Sequence, residues 1–483
     1  MSLFENFSEL QTRRQFFAGG RSIVGSAALA SLLGPASSLF GSEAGPSGPH
    51  FAPQAKRVIY LHMVGGPAQM DLFDYKPGMQ DWYDKDLPES IRNGQRLTTM
   101  TSGQARFPVA PSKFKFSQAG ECGMWMNTEL LPNLAQKADK ICWMRSLNTE
   151  AINHEPAIAA LQTGNQVTGR PCLGSWASYG LGADNENLPA FVVLVAVPSN
   201  RDQEQAISGR LWSAGYLPGK HAGVSFRSKG DPILYINNPP GVPQALRQRS
   251  IEGLNQLNNI NFQQFGDPET QTRIQQYEMA FRMQASVPEL TDITQESKHT
   301  FELYGEEAAK PGTFANTVLM TRRLAERGVR FIQVYHNNWD HHSNVAGRMP
   351  SQCKDIDRPC YALLEDLEQR GMLDDTLVIW GGEFGRTIYT QGKLSRENYG
   401  RDHHPRCFTM WMAGGGAKGG TIYGETDDFS YNIVKDPVHI RDFHATILHL
   451  LGFDHERFTY KYQGLEQKLT GVLPAHVINE LIV

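Results

Sequence analysis

The sequence predicts an α/β fold: a mostly parallel central sheet with helices on both faces. Three observations carry this. Short apolar, β-branched runs recur along the chain (VIYLHMV, ICWMRSL, AFVVLVAV, VRFIQVY, TLVIWGG, CFTMWMAGGG), the pattern of strands buried on both faces. Helical patterns lie between several of them. Carboxylates and imidazoles gather just past the runs, where open parallel sheets carry their ligands.

The first run, VIYLHMV, ends in Gly-Gly-Pro and delivers a loop. ANTVLMTRRLAERG has apolar residues three and four apart and stops at Gly328, and YALLEDLEQRG does the same at Gly371. Residues 243–310 differ. They are rich in Gln, Asn and Glu, helical in pattern and without a strand signal. They are expected to form a helical insertion, a lid or side lobe within one domain spanning 51–483.

The N-terminal 45 residues read differently again. Arg13 and Arg14 precede Phe16 and Phe17, then a mildly apolar run rich in Gly, Ser and Ala. This predicts a twin-arginine export signal and linker, cleaved near 40–46, and a periplasmic or secreted protein. The run is too short and too poor in large apolar residues for a membrane span, so no stable span is expected after signal removal. The formal net charge is −4 and no basic block stands out, which argues against nucleic acid as a partner. None of the six cysteines forms a CxxC pair, which argues against a zinc ribbon or thioredoxin-like site. Cys353 and Cys360 are close enough in sequence to consider a bridge, with free buried thiols as the alternative.

Four clusters carry chemistry. GGPAQMDLFDYKPG holds Asp71 and Asp74. HNNWDHHSN holds Asp340, His341 and His342. WGGEFGRT holds Glu383 and Arg386. GRDHHPRC holds Asp402, His403 and His404. Imidazole with carboxylate is a usual ligand set for zinc, iron or manganese; carboxylate alone suits magnesium or calcium. On an extended backbone Asp340 and His342 face one way and His341 the other. A fifth stretch, HEPAIAALQTG, sets His154 at the mouth of a helix. There it is either a cap or loop residue, or a group aimed into a site.

With GGPAQMDLFDYKPG, HEPAIAALQTG, RRLAERGVRF, NWDHH, GGEFGRT, GRDHH, AGGGAKGGTIYGETDD and DFHATILHLLG together, the chain resembles the alkaline phosphatase superfamily, which includes the sulfatases. Within it the chain is most similar to the exported branch designated domain of unknown function 1501. The resemblance implies an alkaline phosphatase-like α/β fold, two divalent metal ions (Zn, Mn, Mg or Ca) and hydrolysis of phosphate or sulfate esters, with a small-molecule or polysaccharide ester as substrate. In that superfamily a Ser, Thr or modified Cys nucleophile opens a helix that ends in Thr-Gly. Thr163-Gly164 matches the ending, Pro156 matches a sulfatase proline, and His154 stands where the nucleophile would be. Imidazole there can act as nucleophile, base or ligand, with a hydroxyl from Thr149 or Ser146 as the alternative. The resemblance implies Asp340, His342 and His403 on one metal, His404 being the alternative to His403. It implies Asp71, Glu383 and His154 on another, about 4 Å away, with Arg386 on a substrate oxyanion. A binding protein that has lost turnover on the same scaffold is the rival expectation.

Overall fold

A computed structural model describes residues 48–483 except 203, 228–229, 234–237 and 239–240. The proposed export signal lies outside the described residues. The central sheet has nine strands among these residues. They are β1 (Arg57–Met63), β2 (Ile141–Asn148), β3 (Phe191–Ala196), β4 (Val224–Phe226), β5 (Phe331–His336) and β6 (Thr376–Gly381), then β9 (Phe408–Ala413), β10 (Ile422–Tyr423) and β11 (Val438–His439). Between β6 and β9 the chain forms a separate two-stranded antiparallel ribbon, β7 (Gly385–Thr390) with β8 (Arg401–His404).

The sheet order is β10-β2-β9-β6-β1-β5-β3-β4, with β11 also on β2. Neighbours are parallel except where β9 meets β2 and β6. The fold is therefore α/β with a mixed, mostly parallel sheet. β1 shows why its sequence is a continuous apolar run. Ile59, Leu61 and Met63 enter one buried core, while Val58 and Tyr60 enter another on the opposite face. A strand covered on both sides needs no polar alternation.

The helices sort by face. α1 (His154–Thr163), α2 (Leu173–Leu181) and α7 (Ile440–Leu450) pack on the Tyr60 side through Ile158, Trp176 and Ile447. α5 (Phe314–Glu326) and α6 (Val345–Gln369) cover the other face. α6 begins well before the YALLEDLEQRG pattern and runs through Pro350 and Pro359. Its buried residues Met349, Cys353, Ile356, Cys360, Leu363 and Leu367 repeat at four and three, and that core stripe outweighs the prolines. Both cysteines on the stripe are free, as are the other four. Two helical turns separate them by about 10 Å, too far for a disulfide.

Residues 243–310 contain α3 (Gln244–Phe265) and α4 (Pro268–Thr291). Arg323 of α5 ties this lobe to the sheet-covering layer. Its guanidinium donates to the carbonyls of Leu290, Glu289 and Asp292 and pairs with Glu296.

Candidate metal centre

The parallel strands deliver the site from their carboxyl ends. β1 runs into Val64-Gly65-Gly66. β2 leads through a short loop to His154 at the start of α1. β5 leads to Asp340 and His342, and β6 to Glu383. The β7–β8 ribbon then lays Arg386 opposite His403. Gly65 has φ +116°, and a Cβ there would lie 2.5 Å from the amide nitrogen of Asp340. Only glycine lets the two loops approach this closely. Asn338, at φ +75°, turns the β5 loop back so that Asp340 enters the site.

His154, Asp340, His342 and His403 offer ligand atoms that all lie within 4.8 Å of one another, the one such group found among the described residues. Their common point is Oδ1 of Asp340. It lies 2.8 Å from Nε2 of His342, 3.2 Å from Nε2 of His154 and 3.5 Å from Nε2 of His403. The His342 and His403 Nε2 atoms are 3.1 Å apart.

The opposite ring nitrogens explain the geometry. His154 Nδ1 lies 2.5 Å from Glu383 Oε1, His342 Nδ1 lies 2.5 Å from Gln391 Oε1, and His403 Nδ1 lies 2.8 Å from the Ile152 carbonyl. Each partner is an acceptor, so each Nδ1 carries the hydrogen and donates it. That leaves three Nε2 lone pairs and a carboxylate oxygen facing one small space. Lone pairs so arranged repel unless a cation stands between them, and His154 Nε2 has no hydrogen-bond partner. Outer partners that fix the tautomer are what metal-ligating histidines use. Three imidazoles with one carboxylate fit zinc, manganese or iron.

The surroundings set the charge of each group. Burial would raise the Asp340 carboxyl, but the Arg386 guanidinium and the surrounding imidazoles hold it far below the usual carboxylate range. Burial would likewise raise Glu383, and its hydrogen bonds from His154 and His62 lower it instead. Burial lowers His403 to about 4, with Arg386 and the neighbouring imidazoles acting against Asp340. Burial would also lower His154, yet Asp340 and Glu383 together raise it, which favours the imidazolium in the metal-free site; a metal ion would take the place of its Nε2 proton. With neutral imidazoles, Asp340, Glu383 and Arg386 sum to a formal charge of −1. A divalent ion would bring the site to +1, the sign that attracts an anionic ester. The site is reachable from solvent, since the His154 and His342 side chains are 11% and 17% exposed.

Several expected site residues stand elsewhere. Asp71 is fully buried and engaged by Arg401, at 2.6 Å and 3.2 Å, and by the Tyr399 hydroxyl. Its carboxylate is the counter-ion of Arg401 and lies outside the four-residue group described above. Glu383 accepts from the Gly65 amide at 2.9 Å and 3.2 Å as well as from His154 and His62. It orients a ligand rather than forming part of the four-residue group. His404 points away, its Nε2–H donating to the Tyr431 carbonyl with its ring stacked on Tyr431. The Arg386 guanidinium is consumed by the Gly65, Gly66 and Arg401 carbonyls and by Asp340 at 2.6 Å. It braces Asp340, and its side chain is only 1% exposed. Thr149 is outside the group; its hydroxyl accepts from the Ala151 amide, and Ser146 donates to the Asp436 carbonyl. Asp71 and Glu383, expected on a second ion, lie outside the one His/Asp group found among the described residues. His341, between the two ligands, is turned into buried surroundings.

Two contributors were missed. His62 receives a hydrogen bond from Gln162 at Nδ1, so its Nε2–H faces Glu383 at 3.4 Å. A histidine inside the otherwise apolar strand VIYLHMV was a readable signal. Gln205 donates to Asp340 Oδ2 at 2.8 Å; nothing local in the sequence marks it.

Solved structures similar to the chain include an alkaline phosphatase superfamily protein from Vibrio parahaemolyticus (10% identity, TM-score 0.35, covering 88% of this chain and 72% of that one). A sulfatase from Pseudoalteromonas sp. is similar at 12% identity and TM-score 0.33, covering 83% and 68%. A lipoteichoic acid synthase from Listeria monocytogenes is similar at 9% identity and TM-score 0.35, covering 89% and 78%. Likenesses this remote carry no weight for function. No curated protein matches the chain. A family profile described as "protein of unknown function (DUF1501)" matches residues 55–482, so the chain belongs to the DUF1501 family.

Proposed function

We propose that this protein is an exported, metal-dependent hydrolase of phosphate or sulfate esters. One observation carries the reading: three Nε2 lone pairs converge on Asp340 Oδ1, each set by an acceptor behind its Nδ1. His154, Asp340, His342 and His403 would hold one divalent ion. Such an ion supplies Lewis-acid polarisation of an ester oxygen and neutralises developing charge. Arg386 fixes Asp340 and offsets one of the two buried carboxylates. Glu383 holds the proton of His154 at Nδ1 and so presents Nε2 to the site. The resemblance of the sequence motifs to sulfatases supports the ester class, and the twin arginines support export to the periplasm.

A second reading is favoured by a specific feature. His154, at the head of α1, is held between two carboxylates, Asp340 and Glu383. A protein that binds metal and anion without turnover fits that arrangement. Elemental analysis of protein purified without chelator, followed by aryl phosphate and aryl sulfate assays with Zn, Mn, Mg or Ca, separates the two. Metal with turnover supports the hydrolase. Metal with anion binding but no turnover supports the binder. No metal, and none on titration, refutes both.

A further inference from the structure

Beside the metal centre lies a cavity of about 460 Å³, within the size range of small-molecule sites. Ile152 belongs to both places: its carbonyl holds His403 Nδ1, and the residue lines the cavity. Arg406, three residues after His403, lines the cavity together with Arg96. Neither guanidinium has a hydrogen-bond or ion-pair partner among the described residues. The one carboxylate in the wall, Glu150, is already committed to His439 at 3.0 Å and Arg441 at 3.1 Å. The lining therefore carries two uncompensated positive charges. Ile152 and Ile433 add apolar surface to the lining.

Two guanidiniums lining one open hollow suit a tetrahedral oxyanion, which accepts forked hydrogen bonds. The apolar wall suits the C–H face of a carbon skeleton. The geometry points to an anion subsite that takes a second sulfate or phosphate group of the same substrate while the first lies at the His/Asp cluster. This rests on the metal-centre reading for the first group, and it makes the substrate class a polyanion with at least two ester groups. It also gives the RDHHPR segment two roles: His403 faces the metal centre, and Arg406 faces the subsite.

The test uses the full chain with Arg96→Met, Arg406→Met and both together. The probes are a disulfated disaccharide, its monosulfated form, and the corresponding bisphosphate and monophosphate, titrated by calorimetry at two salt concentrations. Wild-type protein binds the probes with two ester groups more tightly than those with one. The double variant loses about tenfold in affinity for the two-group probes, with a shallower salt dependence, and holds the one-group probes within about twofold. Each sulfate or phosphate pair is compared within itself, because a phosphate monoester carries close to two charges near pH 7 and a sulfate monoester one. Equal affinity for the two-group probes in wild type and double variant overturns the subsite. Both arginines are exposed, so the variants are expected to fold, and thermal unfolding verifies this. Metal content of the same samples keeps the two readings apart. Lost affinity for the two-group probes in protein that never takes up metal retains the subsite and removes the metal centre, whereas full metal with unchanged affinity for those probes does the reverse.

Discussion

His154 Nδ1 and Glu383 Oε1 are 2.5 Å apart, joining the head of α1 to the end of β6 across 229 residues of sequence. The carboxylate is itself fixed by the Gly65 amide and His62. One consequence is a division of labour. Glu383 sets a tautomer, and His154 presents the nitrogen that faces the site.

Glu383→Gln tests that division. The amide keeps the volume but loses the charge; with its oxygen in the place of Oε1 it still accepts from His154 and the Gly65 amide, while its NH₂ cannot accept from His62. Metal affinity is expected to fall by about 10–100-fold, the usual effect of removing a partner behind a ligating histidine. The fold should persist. Competition with a chromogenic chelator reads the affinity, and affinity equal to wild type would leave Glu383 without an orienting role.

His342→Ala removes a donor outright. Bound metal should fall from about one equivalent, the single group in the structure, to near zero. Asp340→Asn should do the same while leaving Arg386 its three carbonyl partners. Adding zinc should raise the melting temperature of the wild type, because an ion bound only by the folded state stabilises it. It should leave both variants unmoved. A zinc-dependent shift that survives in both would place the ion elsewhere.

The strand runs, the clusters beyond them and the helix opened by His154 were all legible in the sequence, because apolar period and position after a strand are local properties. What was not legible was partnership. Asp71 and His342 look alike as candidates until the chain folds, and then Arg401, 330 residues away, claims the first. Arg386 reads as a substrate-binding residue until the Gly65 and Gly66 carbonyls close around it. His403 and His404 are adjacent, and only strand pairing decides which faces the site. The start of α6 was hidden for a different reason. Pro350 and Pro359 read as breakers, and only packing of the stripe from Met349 to Leu367 overrides them.

Gly65→Ala isolates the close approach of two loops. The residue sits at φ +116°, where L side chains are strained, and its Cβ would press on the Asp340 backbone. Strain of this kind costs on the order of 1–3 kcal/mol. Urea unfolding should show that loss of stability, and metal affinity should fall with it because Asp340 shifts. An unchanged midpoint and unchanged affinity would mean the loops have room to spare.

Acid should weaken the support under α1. His444 on α7 is buried, and its Nε2–H donates to the Leu161 carbonyl at 2.8 Å, near the end of α1. Its Nδ1 is buried without a hydrogen-bond partner, so a proton added there meets no acceptor. Burial lowers this imidazole to about 4, from an ordinary value of 6.5. Because the folded value lies below the unfolded one, the unfolded chain binds the proton more readily between them. Stability from the neutral ring is complete above 6.5, declines as pH falls and is gone near 4. The gap corresponds to about 3 kcal/mol. His444→Gln can keep a donor to Leu161 and cannot titrate. The variant should therefore lose less stability than wild type between pH 7 and pH 4.5 in urea unfolding. Other buried histidines, such as His404, also lowered to about 4 by burial, should make both proteins weaker in acid, so the difference between the two curves is the quantity to read. Parallel curves would show that His444 does not hold α1 through its neutral form.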